Sequence, residues 1–265
     1  KINFKIHKSG VNVDISLDKN NNKNSINGAF KLKILNTNLK FDFIYDKKSL
    51  NIYNSFFRSK NLSFENNIII IFEPFLNIKS NLKIDDIDIK IFNKLKIEKI
   101  LTFKNLLKKI NSKNEINFNS KKFNRNFIDK LDLKFDLAYG RLNFLKIISI
   151  SDNIFNCKGS INLLEEFPLL FFDCLINSNN KRDIFKKFDI DIKKDNNIFN
   201  LNVKGNLSVL NNKINFKEIS TNNNYKASNE DLNYFKEKFE NILFEDNFIK
   251  IFNLKKIKEF ILEIS

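Results

Sequence analysis

The chain has 265 residues, 42% of them apolar and 29% charged, a balance that excludes a disordered segment and fits one large domain or two small ones. Five glycines do not make a P-loop or a dinucleotide fingerprint, and a single histidine, His7, leaves no His-based metal site or Ser-His-Asp triad beyond that ring. The net charge of +15 raises nucleic acid or an anionic membrane as partners, but only four of 46 basic residues are Arg. The lysines alternate with Asp, Asn and Ser, so they read as a solvated outer face enlarged by AT-rich codon usage. No nucleic-acid partner is expected.

Elements follow in chain order. INFKI (2–6) and VNVDISLD (11–18) alternate apolar and polar residues, the mark of a strand with one wet and one dry face. NLKFDFIY (38–45) repeats the pattern with Leu39, Phe41, Phe43 and Tyr45 on the dry side. IIIIF (68–72) is the longest apolar run, far short of the roughly 20 residues of a membrane-spanning helix. NLKIDDIDIKIF (81–92) alternates on either side of a phase shift at Asp85–Asp86, which predicts a bulge.

KIEKILTFKNLLKKIN (96–111) changes to helical spacing, with Ile97, Ile100, Phe103, Leu107 and Ile110 on one stripe. KLDLKFDLAYGRLNF (130–144) returns to strands, with Leu131, Leu133, Phe135 and Leu137 dry and a turn near Gly140. NKRDIFKKF (180–188) fits a short helix. NIFNLNVKGNLSVL (197–210) and KINFKEI (213–219) form a hairpin through Asn211–Asn212. Ser228 with Asp231 then opens a helical tail, carrying stripes Leu232, Phe235, Phe239, Ile242, Leu243 and Leu254, Ile257, Ile261, Ile264.

The expected fold is therefore mainly β: a long antiparallel amphipathic meander with one internal helix (about 96–111) and a helical C-terminal tail. Residues 1–227 form the β-rich region and 228–265 the tail. About a dozen strands share too few helices to cover their dry faces. Either those faces pack on each other in a sandwich, or they line an open apolar groove that holds something apolar. Periodicity alone leaves both standing. A membrane barrel is disfavoured by the tail and by the Lys and Asp that would line its pore.

Two cysteines add a constraint. A turn at Glu165–Glu166 places residues summing to about 331 opposite each other, and Cys157 and Cys174 satisfy this. They form a structural disulfide or two buried free thiols; a bond would imply an oxidising compartment. The carboxylates of DDID (85–88) and LLEEF (163–167) have no partners suggesting a cleft, so no catalysis, cofactor or metal is expected.

The stretch LKFDLAYGRLNFLKIISISDNIFNCKGSINLLEEFPLLFFDCLI (133–176), followed by LNVKGNLSVLNNKINFKEIS (201–220), resembles the C-terminal part of AsmA-like proteins of alphaproteobacterial type, the superfamily that includes TamB and YhdP. The shared pattern is a succession of amphipathic strands with short elements such as GRLNF, GSINL and GNLSV before a small helical region.

The resemblance implies a non-catalytic periplasmic protein, anchored in the inner membrane by an upstream helix, whose meander curls into an open apolar groove. Such a groove carries phospholipids towards the outer membrane, or serves envelope assembly with protein partners. The absence of Met fits a piece of a longer protein whose anchor lies upstream. Val11, Val13, Ile15 and Leu17 would then line the lipid path. So would Leu39, Phe41, Phe43, Leu131, Leu133, Phe135 and Leu137, and finally Leu201 and Val203. The alternative function is a self-packed sandwich that binds protein or glycan in the envelope.

Overall fold

The computed structural model describes the chain apart from residues 1, 9, 21–23, 61, 88–102, 121–126, 152, 180, 191–197, 223–224, 245–252 and 265. Fourteen strands form one sheet in which spatial order equals chain order. The first seven are β1 (Ile2–Lys8), β2 (Val11–Asn20), β3 (Ser25–Ile34), β4 (Thr37–Tyr45), β5 (Ser49–Arg58), β6 (Leu62–Ile71) and β7 (Asn77–Ile87). The second seven are β8 (Asn111–Asn119), β9 (Lys130–Ala138), β10 (Arg141–Ile150), β11 (Asn153–Asn162), β12 (Leu169–Ser178), β13 (Phe199–Ser208) and β14 (Lys213–Thr221). Four helices accompany them among the described residues: α1 (Lys104–Leu107), α2 (Lys181–Lys187), α3 (Asn229–Leu243) and α4 (Leu254–Ile264). The protein is thus mainly β, with an open meander and a helical tail.

One pairing departs from the expected meander. β7 and β8 run parallel, while every other neighbouring pair is antiparallel. A parallel neighbour requires the chain to return to its starting end, which needs a long crossover. Residues 88–110 supply it, and the internal helix predicted at 96–111 falls there. Its described part is the single turn α1, while residues 96–102 lie outside the described residues. Asn111 is the first residue of β8, where it pairs with Asn77, so the helix stops short of the predicted end.

Local chemistry explains the turns. Tyr139 and Gly140 both have positive φ (49° and 77°), the two-residue turn whose twist matches flanking strands. The β13–β14 connection is longer than predicted: Ser208 pairs with Lys213, leaving four residues, 209–212, with Asn212 at φ 52°. The predicted bulge at Asp85–Asp86 is present, since Ser63 pairs with Asp86 and Phe64 with Ile84, leaving Asp85 extra. Gly159 and Gly205 have another role from Gly140. A β-carbon on either would collide with a ring of the preceding strand, Phe144 or Phe172, and with backbone of the following strand. The repeated glycine elements are therefore of two kinds, a turn and a bed for an aromatic ring.

The buried core is small and lies at one margin of the second half. Leu107, Ile161, Leu163, Leu207, Val209, Ile214 and Phe244 cluster there, with Leu137, Leu142 and Leu170 packed against them. Helix α3 closes this end. Its Glu240 carboxylate accepts the Ile214 N–H (3.0 Å) and the Lys213 ammonium (2.8 Å), while Phe239 meets Phe216, Phe244 and Phe260 edge-on. At the other margin α2 brings in the buried Ile184 and Phe188, the latter against Phe127.

The start of α3 is set by a reciprocal cap. Ser228 Oγ accepts the Asp231 N–H (3.1 Å), and the Asp231 carboxylate accepts the Ser228 N–H (2.9 Å) and the Tyr225 hydroxyl (3.1 Å). The hydrogen bonds from Ser228, then that from Tyr225, hold the Asp231 carboxyl below the usual range. A depressed carboxyl contributes stability above its unfolded value of about 3.9, and the contribution is lost as pH falls through the folded value. The Asp231→Asn variant should therefore be less stable than wild type at neutral pH and converge with it in acid. Urea unfolding from about pH 6 to about pH 2 tests this; a gap that persists in acid contradicts it.

Candidate functional site

Cross-strand partners share a face, so the register assigns every strand residue to one side of the sheet. One row begins Val13–Leu32–Leu39–Phe57–Phe64–Ile84 across β2 to β7. It continues through the parallel pair to Phe118, then Leu131, Ile148, Phe155, Ile176 and Leu201. From β2 to β13 no position of this row is polar. Strands lie about 4.8 Å apart, so fourteen of them extend the sheet about 62 Å, twice the roughly 30 Å hydrocarbon thickness of a bilayer.

Two further rows flank it. Ile15, Phe30 and Phe41 lead one, which later contains Leu82, Ile116, Leu133, Lys146, Cys157, Cys174 and Val203. Leu17, Gly28, Phe43, Ile52 and Ile68 lead the other, which later contains Phe135, Phe144, Gly159, Phe172 and Gly205. The register thus places the predicted residues of β2, β4, β9 and β13 on one continuous face. Two of them sit apart: Val11 is at the margin opposite Ile34, and Leu137 packs on the buried cluster.

This face is largely uncovered. Among the described elements, each strand makes substantial contact with its sheet neighbours alone, except that α3 lies on β14. The single sheet is the open arrangement of the two that periodicity allowed, and it is not a closed barrel, since β1 and β14 have one neighbour each. The row residues are accordingly half-buried, with Ile84 (8% exposed) and Phe118 (5%) the buried exceptions at the parallel junction. The chain presents 17575 Å² to solvent, against about 12,000 Å² for a compact monomer of 31.4 kDa.

Rings stack along the uncovered face, Phe30 on Phe41 (5.0 Å) and Phe57 on Phe64 (4.9 Å). Cys157 and Cys174 are direct register partners, joined by a disulfide with Cα atoms 4.1 Å apart. A polar island interrupts the second flanking row at the junction, where Ser80 Oγ donates to Asn114 Oδ1 (2.8 Å), and Asn114 Nδ2 donates to Ser112 Oγ (2.9 Å) one row further out.

The opposite face is wet and charge-paired. Lys134 and Glu115, Lys158 and Asp173, and Lys204 and Glu218 are cross-strand partners and ion pairs at 3.2, 3.4 and 3.3 Å. The Lys204 hydrogen bond and charge hold the Glu218 carboxyl below its ordinary value. A shallow depression among Asp14, Lys31, Lys33, Lys40 and Phe56 of this side is also lined by Leu32 and Leu39 of the central row.

Sequence reasoning missed Phe57, Phe64, Ile84, Phe118 and Ile148, together with Lys146. His7 lies in β1, and its side chain is outside the described residues. Among the described residues no helix is long and apolar enough to cross a membrane. No protein-family model, curated protein or solved structure matches the chain.

Proposed function

We propose that the chain is a lipid-carrying segment of an AsmA-like envelope protein, working without catalysis or cofactor. It lies in the periplasm, tethered to the inner membrane through a segment upstream, and its partners are phospholipids and envelope proteins. The observation that carries this reading is the unbroken apolar row from Val13 to Leu201, half-exposed among the described residues except where Ile84 and Phe118 are buried at the parallel junction. Exposed apolar area of this extent marks a surface that meets another apolar phase. Each methylene buried against it contributes about 0.8 kcal/mol, so an acyl chain is held without any specific contact. Continuity across strands then lets a chain slide from row position to row position. The wet face, with its cross-strand ion pairs, keeps the segment in water. The disulfide accords with an oxidising compartment.

Extraction of a fluorescent phospholipid from vesicles tests the reading. Wild type should solubilise the probe, and Phe57→Asp or Phe155→Asp, placed in the apolar row, should lower extraction at least about tenfold by setting a desolvated charge in the path. A variant with wild-type circular dichroism and undiminished extraction contradicts it.

A further inference from the structure

Lys146 is the one charged residue in the interior of the apolar face among the described residues; Lys19 shares that face only at the end of β2. Its strand neighbours on the face are Phe144 and Ile148, and its cross-strand neighbours are Leu133 and Cys157. Burial among these groups pushes its ammonium below the usual lysine range. Within the described residues it makes no hydrogen bond or ion pair. Strand parity explains why. Asp132 and Asp136 of β9 and Asp173 of β12 all point to the wet face, where Asp132 meets Lys130 and Asp173 meets Lys158. Among the described residues the face supplies Lys146 with apolar neighbours and no counter-charge.

An ammonium in such surroundings is unfavourable unless a partner arrives with an anionic group of its own. The partner must also be apolar elsewhere, because every approach to Lys146 along the face runs over Leu, Ile, Phe or the disulfide. Resting on the lipid-groove reading, we propose that Lys146 is a headgroup station: its ammonium donates to the phosphodiester oxygens of a glycerophospholipid whose acyl chains lie along the neighbouring rows. Four inter-strand spacings, about 19 Å, separate it from β14, where α3 covers the sheet. A lipid paused there has apolar surface on both sides.

Native mass spectrometry of the whole chain with dioleoylphosphatidylglycerol or dioleoylglycerol isolates the headgroup, since the two share their tails. Wild type should load the phospholipid about tenfold more than the diacylglycerol, the effect of a charge-assisted hydrogen bond. Lys146→Met should load both equally, at the diacylglycerol level of wild type, and Lys146→Arg should restore the preference. Retention of the full preference by Lys146→Met, with diacylglycerol still loaded, overturns the headgroup station and leaves the groove intact. Failure of every form to load either lipid overturns both.

Discussion

Replacing Cys157 and Cys174 together by Val lowers the stability of the sheet by about 3 kcal/mol. The bond joins positions with a sequence separation of 17 in β11 and β12, and its loss restores that loop's freedom to the unfolded chain. Val keeps an apolar branch at both positions, so the cross-strand neighbours Lys146 and Val203 retain their surroundings. Chemical unfolding of wild type with and without reductant, beside the double variant, measures the effect. Reductant should shift wild type to the double variant's midpoint and leave the double variant unmoved. A wild type indifferent to reductant shows that the bond contributes nothing.

Phe118→Ala is the second large effect, a loss of about 3–5 kcal/mol. Phe118 is 5% exposed and stands between Ile84 on β7 and Leu131 on β9, where the two seven-strand halves join through their parallel pair. Truncation there leaves a cavity between Ile84 and Leu131. Phe64→Ala in the adjoining strand should cost clearly less, because that ring is half-exposed already. Equal losses at the two positions would mean that the junction is no better packed than the open face.

Much of this was legible in sequence where alternation is clean. VNVDISLD states its two faces outright, and the Ser228–Asp231 cap and the facing cysteines follow from short-range spacing. Elsewhere parity misleads. In β5 a bulge around Tyr53 and Asn54 puts Ile52 and Phe57, five residues apart, on one face. In β10, Leu145 and Ile147 are as apolar as Phe144 and Ile148, so composition does not choose a face, and the Tyr139–Gly140 turn fixes the phase. That ambiguity hid Lys146, which reads in sequence as one more solvated lysine. The parallel pairing of β7 with β8 has no local signature, because it depends on where a long crossover returns the chain.

The central claim is that the uncovered apolar rows hold lipid. Its most direct measurement is native mass spectrometry of the chain purified without added lipid, followed by extraction and identification of what it carries. The account predicts co-purifying phospholipid, lost from folded Phe41→Asp, Phe43→Asp and Phe135→Asp variants, whose side chains line the rows flanking the central one. A folded chain that carries no lipid, and takes none up from vesicles, would contradict it.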